Sequence, residues 1–265
     1  MQEARFYTVT DDGVQCQLCP HHCRIKDGGR GLCRSRECRD GKLYALSYGQ
    51  PCALAIDPVE KKPLNHFMPG THCLSLSCTG CNLSCRWCQN SDISQAKPEQ
   101  VESDQWSPEE MVDAALKRGL PSITYTYTEP FTWWEYMHDI AVLAHEKGLK
   151  SILVSAGYVE KEPLQELLPY LDAANIDIKA MDDAIYRKYC GASLVEKPRA
   201  RDPLRRRRLT PFAEISLTLW AENKMTPAGT IPAGDFFVVL GSVLAGGKSK
   251  TTRKHDKCIF KRRKQ

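Results

Sequence analysis

The stretch 78–90, CTGCNLSCRWCQN, constrains this chain more than any other. It holds Cys81, Cys85 and Cys88 at C-x3-C-x2-C spacing, with Trp87 just before the last thiol. Three thiolates this close together on one loop can ligate three irons of a [4Fe–4S] cluster. The fourth iron then has no protein ligand and is open to a small molecule, which separates a reactive metal site from a closed structural one. Two other readings use the same residues. With Cys78 as a fourth ligand the chain would be a non-catalytic iron–sulfur or zinc-binding protein, and a bare three-cysteine loop also suits a zinc knuckle.

A second group, CQLCPHHCRIKDGGRGLCRSREC, occupies residues 16–38. Cys16, Cys19, Cys23 and Cys33 follow C-x2-C-x3-C-x9-C spacing, with His21, His22 and Cys38 as spare ligands around a turn rich in glycine. These soft ligands fit zinc or a second iron–sulfur cluster equally. The alternative is a set of reduced thiols filling a loop-rich core, and few apolar residues lie nearby to build one. The chain has 13 cysteines, and its start, MQEARFYTVTDD, lacks the apolar centre of a signal peptide. That combination argues for metal ligation in a cytoplasmic protein rather than a disulfide framework. With 42% hydrophobic residues the composition is that of a globular protein. No apolar run approaches the roughly 18 residues of a membrane span, so no membrane partner is expected.

The net charge of +5 is unevenly placed. Residues 195–265 carry 17 of the 37 Lys and Arg but 6 of the 32 Asp and Glu, a local +11 that leaves −6 for residues 1–194. A nucleic-acid partner would therefore rest on the tail alone and is not expected.

Between these landmarks the pattern is α/β. Residues 42–57 read as a hairpin or two short strands, and 57–70 (DPVEKKPLNHFMPG) as a solvated loop in which Lys61, Lys62 and His66 could fold over a site. Strands are expected over 72–77, 122–127, 150–155 and 174–178. Helices are expected after the Ser107–Glu110 capping box, over 131–147, around 163–168, and from an Asp182 cap to Cys190. Strands alternating with helices imply a parallel sheet or barrel, whose ligands sit at the C-terminal strand ends. Those ends carry Glu129, Ser155, Gly157, Asp177 and Lys179. Glu129 suits an ammonium group, Ser155 a ribose hydroxyl, Gly157 close backbone approach, and Lys179 a carboxylate. Taken singly, Glu129 reads as a loop carboxylate and Asp177 with Lys179 as a surface pair.

The blocks CQLCPHHCRIKDGGRGLC, LYALSYG, DPVEKKPLNHFMPG, GCNLSCRWCQN, YTYTEP, AGYVEKEPLQELLPYLDAANIDIKA and YRKYCG follow one another between about residues 14 and 194. They resemble the radical S-adenosylmethionine (SAM) enzyme of the AmmeMemoRadiSam system, a family related to the pyruvate formate-lyase activating enzymes. The resemblance implies a partial (βα) radical SAM barrel, residues 71–194, behind a Cys-rich N-terminal segment, residues 1–70. It implies a [4Fe–4S] cluster on Cys81, Cys85 and Cys88, SAM on the open iron, and Trp87 near the adenine. The 127–130 stretch stands where that family has a glycine-glycine-glutamate motif, so Glu129 carries over without the glycines. Ser155–Gly157 matches the third strand tip, and Asp177 with Lys179 the site of the SAM carboxylate. The implied reaction is reductive cleavage of SAM to a 5′-deoxyadenosyl radical that abstracts hydrogen from an unknown substrate, in activating relatives a glycine of a partner protein. A small reductant such as flavodoxin or ferredoxin would supply the electron.

The likeness ends near Leu194. Residues 195–265 form an atypical basic tail whose Arg205–Arg208 run suits no core helix. Strands are conceivable over 214–220 and 236–244, but without an intervening helix. A shifted reading frame near residue 195 accounts for the change of composition; the alternative is a genuine basic appendage. Either way the barrel is expected to be incomplete after its fourth βα unit, with an open sheet edge that favours aggregation and loss of activity.

Overall fold

The structure, a computed structural model, describes residues 1–180, 182–194, 215–221 and 236–240. Two three-stranded antiparallel sheets open the chain. One contains β2 (Tyr7–Thr10), β3 (Gly13–Cys16) and β4 (Arg24–Lys26); the other orders β1 (Gln2–Glu3), β6 (Lys42–Ala45) and β5 (Arg36–Arg39). A seven-stranded sheet follows, formed by β7 (Pro51–Pro58), β8 (His72–Cys78), β9 (Ser122–Tyr125), β10 (Lys150–Ser155), β11 (Ala173–Ile178), β12 (Ile215–Ala221) and β13 (Phe236–Leu240).

Strands β8 to β11 are parallel neighbours. Their residues are almost all buried, as expected of strands covered on both faces. Of the two readings of 42–57, two separate strands hold and the hairpin does not: β6 pairs with β1 and β5, whereas β7 runs antiparallel along β8. The parallel series ends at β11, since β12 pairs with it antiparallel and β13 with β12. The edge of β11 is therefore occupied, which corrects the expected open edge there and removes the ground for predicting aggregation from it. The rest of the tail reading, including the Arg205–Arg208 run, lies outside the described residues.

Helices α1 (Ser91–Ser94), α2 (Pro108–Leu116), α3 (Trp134–Glu146), α4 (Lys161–Leu167) and α5 (Asp183–Cys190) connect these strands. The Ser107 hydroxyl accepts from the Glu110 N–H while the Glu110 carboxylate accepts from the Ser107 N–H, so the capping box starts α2 as expected. Residues 130–133 form a 3-10 turn, so α3 begins later than the apolar period suggested. Met137, Ile140 and Ala144 are fully buried along its inner face. The Asp182 carboxylate caps α5 by accepting from the Ile185 N–H at 3.0 Å. No helix among the described residues is long and apolar enough to cross a membrane.

The main core lies between the sheet and α2 and α3, and the N-terminal segment shares it. Val14, Leu18, Ile25, Leu43 and Ala45 pack into the same cluster as Leu76, Tyr125, Trp134 and Ile140. The expectation that the cysteine-rich segment lacks apolar neighbours is thereby corrected. A buried ion pair adds to the junction: Arg36 donates to both oxygens of Glu135, at 2.9 and 2.7 Å, and both side chains are buried.

Candidate functional site

Strand β8 delivers the chain to the cysteine loop through Thr79 and Gly80. Gly80 has φ of +99°, and a Cβ there would meet the Cys33 carbonyl oxygen at 2.6 Å. Only glycine fits both the backbone conformation and the contact. We expect Gly80→Ala to cost about 1 to 3 kcal/mol of stability. Thermal unfolding checks this.

The loop is fastened at several points. The Ser84 and Arg86 N–H groups donate to the carbonyls of Cys190 and Tyr189, at 2.8 and 3.0 Å, and so tie it to the end of α5. The buried Asn82 amide donates to the Tyr158 carbonyl at 2.7 Å, and Gln95 donates to the Leu83 carbonyl at 2.9 Å. Cys81, Cys85 and Cys88 are each half-buried. Burial pushes the Cys81 thiol well above its usual range, and the carboxylate of Glu129 and the neighbouring Cys85 and Cys88 raise it further. Among the described residues no three His, Cys, Asp or Glu side chains converge on a single ion. An iron–sulfur cube holds its ligands apart on separate irons and needs three thiols on one loop rather than such convergence.

Cys78 faces elsewhere. It is fully buried in the main core, where burial and the nearby Cys52 raise its thiol. The reading that makes it a fourth cluster ligand finds no support in this placement.

The tips of β9 and β10 meet beside the loop. Glu129 is 1% exposed, and its carboxylate accepts from the Ser155 hydroxyl at 2.6 Å and the Ala156 N–H at 2.8 Å. The two residues assigned from the sequence to different parts of one ligand thus bond to each other. Gly157 has φ of +63°, and a Cβ there would lie 2.9 Å from Ile176. The close approach that requires glycine at this position is therefore to a side chain of β11. Lys179 donates to Asp177 at 2.7 Å, so these two form the expected pair. Trp87 is 45% exposed, with its ring centroid 6.3 Å from that of Tyr189.

Residues 127–128 explain what glycines would do in this place. Tyr127 has φ of +71°, a left-handed conformation that costs a side-chain-bearing residue free energy and glycine none. Its carbonyl accepts from Asn90 at 3.1 Å, its hydroxyl donates to Asp57, and the Lys62 ammonium lies 4.9 Å from its ring. The Thr128 hydroxyl donates to the Cys78 carbonyl at 2.7 Å. The solvated-loop reading of 57–70 is corrected for Lys62, which is 2% exposed and donates to Asp57 at 2.6 Å, and holds for the exposed Lys61 and His66. Asp57, Asn82 and Asn90 had no role in the sequence reading, and Tyr127 entered it only within the 127–130 stretch; for Asp57 the lysine pair that follows at short spacing was the available signal.

On the sheet face away from the main core, Ser75, Thr124, Ile152 and Ala173 stand side by side across β8 to β11. Asn175 is fully buried, and among the described residues neither its amide atoms nor the Thr124 hydroxyl has a hydrogen-bond partner.

Comparison with known proteins adds two findings. Residues 76–200 match the model of the radical SAM superfamily, a span that includes the cysteine loop and the tips of β9 to β11. Over 195 residues the chain is 49% identical to an uncharacterized protein, MJ0808, of Methanocaldococcus jannaschii. The alignment covers 73% of this chain and 58% of that relative, so the chain spans under two thirds of the relative's length.

Proposed function

We propose that this chain is a cytoplasmic radical SAM enzyme of the activating type, with Cys81, Cys85 and Cys88 as ligands of a [4Fe–4S] cluster. The observation that carries the reading is the place of the three-cysteine loop: β8 delivers it to the C-terminal ends of the parallel strands, where Asn82 binds the Tyr158 carbonyl after β10 and Asn90 binds the Tyr127 carbonyl after β9. The superfamily match over the same residues supports it. When bound and reduced, the cluster supplies one electron that splits SAM into methionine and a 5′-deoxyadenosyl radical.

The chain's own residues bind and orient. Glu129, held by Ser155 and the Ala156 N–H, presents fixed negative charge to an ammonium group. Lys179, steadied by Asp177, offers a cation to a carboxylate. Exposed Trp87 offers a flat apolar surface to adenine. The polar groups of Asn175 and Thr124, which have no partner among the described residues, suit a polar substrate, such as the backbone of a glycine-containing segment of a partner protein. A flavodoxin or ferredoxin is the matching electron donor.

The test is the EPR spectrum of the reduced cluster in anaerobically purified protein, with and without SAM. A SAM-induced change of the signal is expected, and a spectrum indifferent to SAM would sink the proposal. Glu129→Gln replaces an acceptor oxygen with a donor facing the Ser155 and Ala156 donors. It should retain the cluster while weakening SAM binding roughly tenfold or more.

A further inference from the structure

Four cysteines outside the proposed cluster line one small cavity. Cys16 ends β3, Cys19 lies in the turn that follows, Cys23 precedes β4, and Cys33 sits in the turn before β5. Backbone bonds set these turns: the Cys16 N–H donates to the Cys23 carbonyl at 3.0 Å, and the Arg34 N–H to the Gly31 carbonyl at 2.9 Å. At Gly31 a Cβ would lie 3.7 Å from the Cys33 sulfur and 3.8 Å from the Cys23 sulfur. Glycine leaves that side of the cavity clear.

The cavity has a volume of about 20 Å³, space for one water- or ion-sized occupant. Two buried polar atoms at its wall have no hydrogen-bond partner among the described residues, Nε of Arg36 and Oδ1 of Asn82. A donor from a buried guanidinium is a usual partner for a metal-bound thiolate, and it offsets part of the negative charge of four such ligands. Two of the spare ligands drop out. His22 is engaged by Gln17 at 2.9 Å and Glu160 at 3.1 Å, and Cys38 lies outside the cavity near Asp27. His21 also lines the cavity, with its Nε2 held by the Asn82 carbonyl at 2.7 Å, but the four thiols already fill a tetrahedral site.

We propose that Cys16, Cys19, Cys23 and Cys33 form a closed tetrahedral site for one zinc ion. As placed, the four thiols line one cavity without converging on a point, and they draw together as the ion binds; four thiolates at a single ion leave no open position, so the site is structural. Its position gives it a task. The cavity wall includes Asn82 of the cysteine loop and Thr132, whose hydroxyl donates to the Gly80 carbonyl at 3.3 Å, and Cys33 supplies the carbonyl that Gly80 abuts. The zinc knot thus supports the loop that holds the other three cysteines.

Zinc and iron counted on the full chain test this site separately from the cluster. The expected result is one zinc per chain, retained in Cys85→Ser, which loses iron, and retained in Cys38→Ala. Zinc should fall at least tenfold in Cys33→Ser and in Cys19→Ser. Because those variants can fail to fold, cobalt is also added to metal-stripped, reduced wild-type protein. One equivalent should give the intense visible bands of tetrahedral cobalt thiolate. No zinc in the wild type together with no such bands, or iron in place of zinc at these four cysteines, would overturn the assignment.

Discussion

Cys85→Ala should abolish SAM-dependent release of 5′-deoxyadenosine under anaerobic, reducing conditions. Iron at the cluster should fall from about four per chain to near zero. The loop offers no replacement ligand: Cys78 is buried in the main core beside Cys52, and Ser84 is committed through its backbone to the end of α5. Two thiolates hold a cube poorly, and no side chain of the protein can substitute for the one-electron donor. The fold should survive, because Cys85 is only partly buried and packs at the margin of a minor cluster that includes Leu83, Tyr158 and Tyr186. An unchanged melting temperature with lost product is therefore the expected pair of results. Product formation within tenfold of wild type would show that the three-cysteine loop is not the reactive centre.

Asp57→Asn should lower stability by about 3 to 5 kcal/mol, measured by urea unfolding at neutral pH. Lys62 is 2% exposed, and Asp57 is its partner at 2.6 Å; the exposed Lys61 and the Tyr127 hydroxyl also bond to the same carboxylate. Removing the charge leaves a buried ammonium unpaired. Burial opposes ionisation of Asp57, but hydrogen bonds from Lys61, Lys62 and Tyr127 outweigh it and hold the carboxyl well below its usual range. Its contribution is therefore complete above the ordinary carboxylate value of about 3.9 and is lost as pH falls toward the depressed folded value. For Lys62, burial outweighs Asp57 and lowers the ammonium below its usual range. Without Asp57 that lowering should grow, so the variant gains on wild type as Lys62 sheds its proton on the way to about pH 10. The deficit should be greatest near neutrality and shrink on both sides. A deficit under about 1 kcal/mol, flat with pH, would mean that the pair does not carry the β7–β9 junction.

The residues that betray themselves in sequence do so through spacing. Cys81, Cys85 and Cys88 are recognisable as candidate ligands because cluster ligation needs three thiols on one short loop, and the strands expected over 72–77, 122–127, 150–155 and 174–178, observed at 72–78, 122–125, 150–155 and 173–178, because buried parallel strands are short apolar runs. The caps at Ser107 and Asp182 follow from local chemistry that operates within one turn. Asp57 and Tyr127 stand 70 positions apart and meet only because β7 and β9 flank β8. Glu129 and Ser155 likewise become a single hydrogen-bonded unit only when β9 and β10 lie side by side.

By itself, then, the order of residues determined the cysteine loop, the βα alternation and the set of polar strand ends, since each depends on neighbours within a few positions. Only the tertiary structure decided that Cys78 belongs to the core, that Lys62 is buried against Asp57, and that the N-terminal cysteines close a cavity beneath Gly80. Those outcomes depend on which surfaces are pressed together after the sheet forms, and burial of that kind leaves no periodic mark along a single chain.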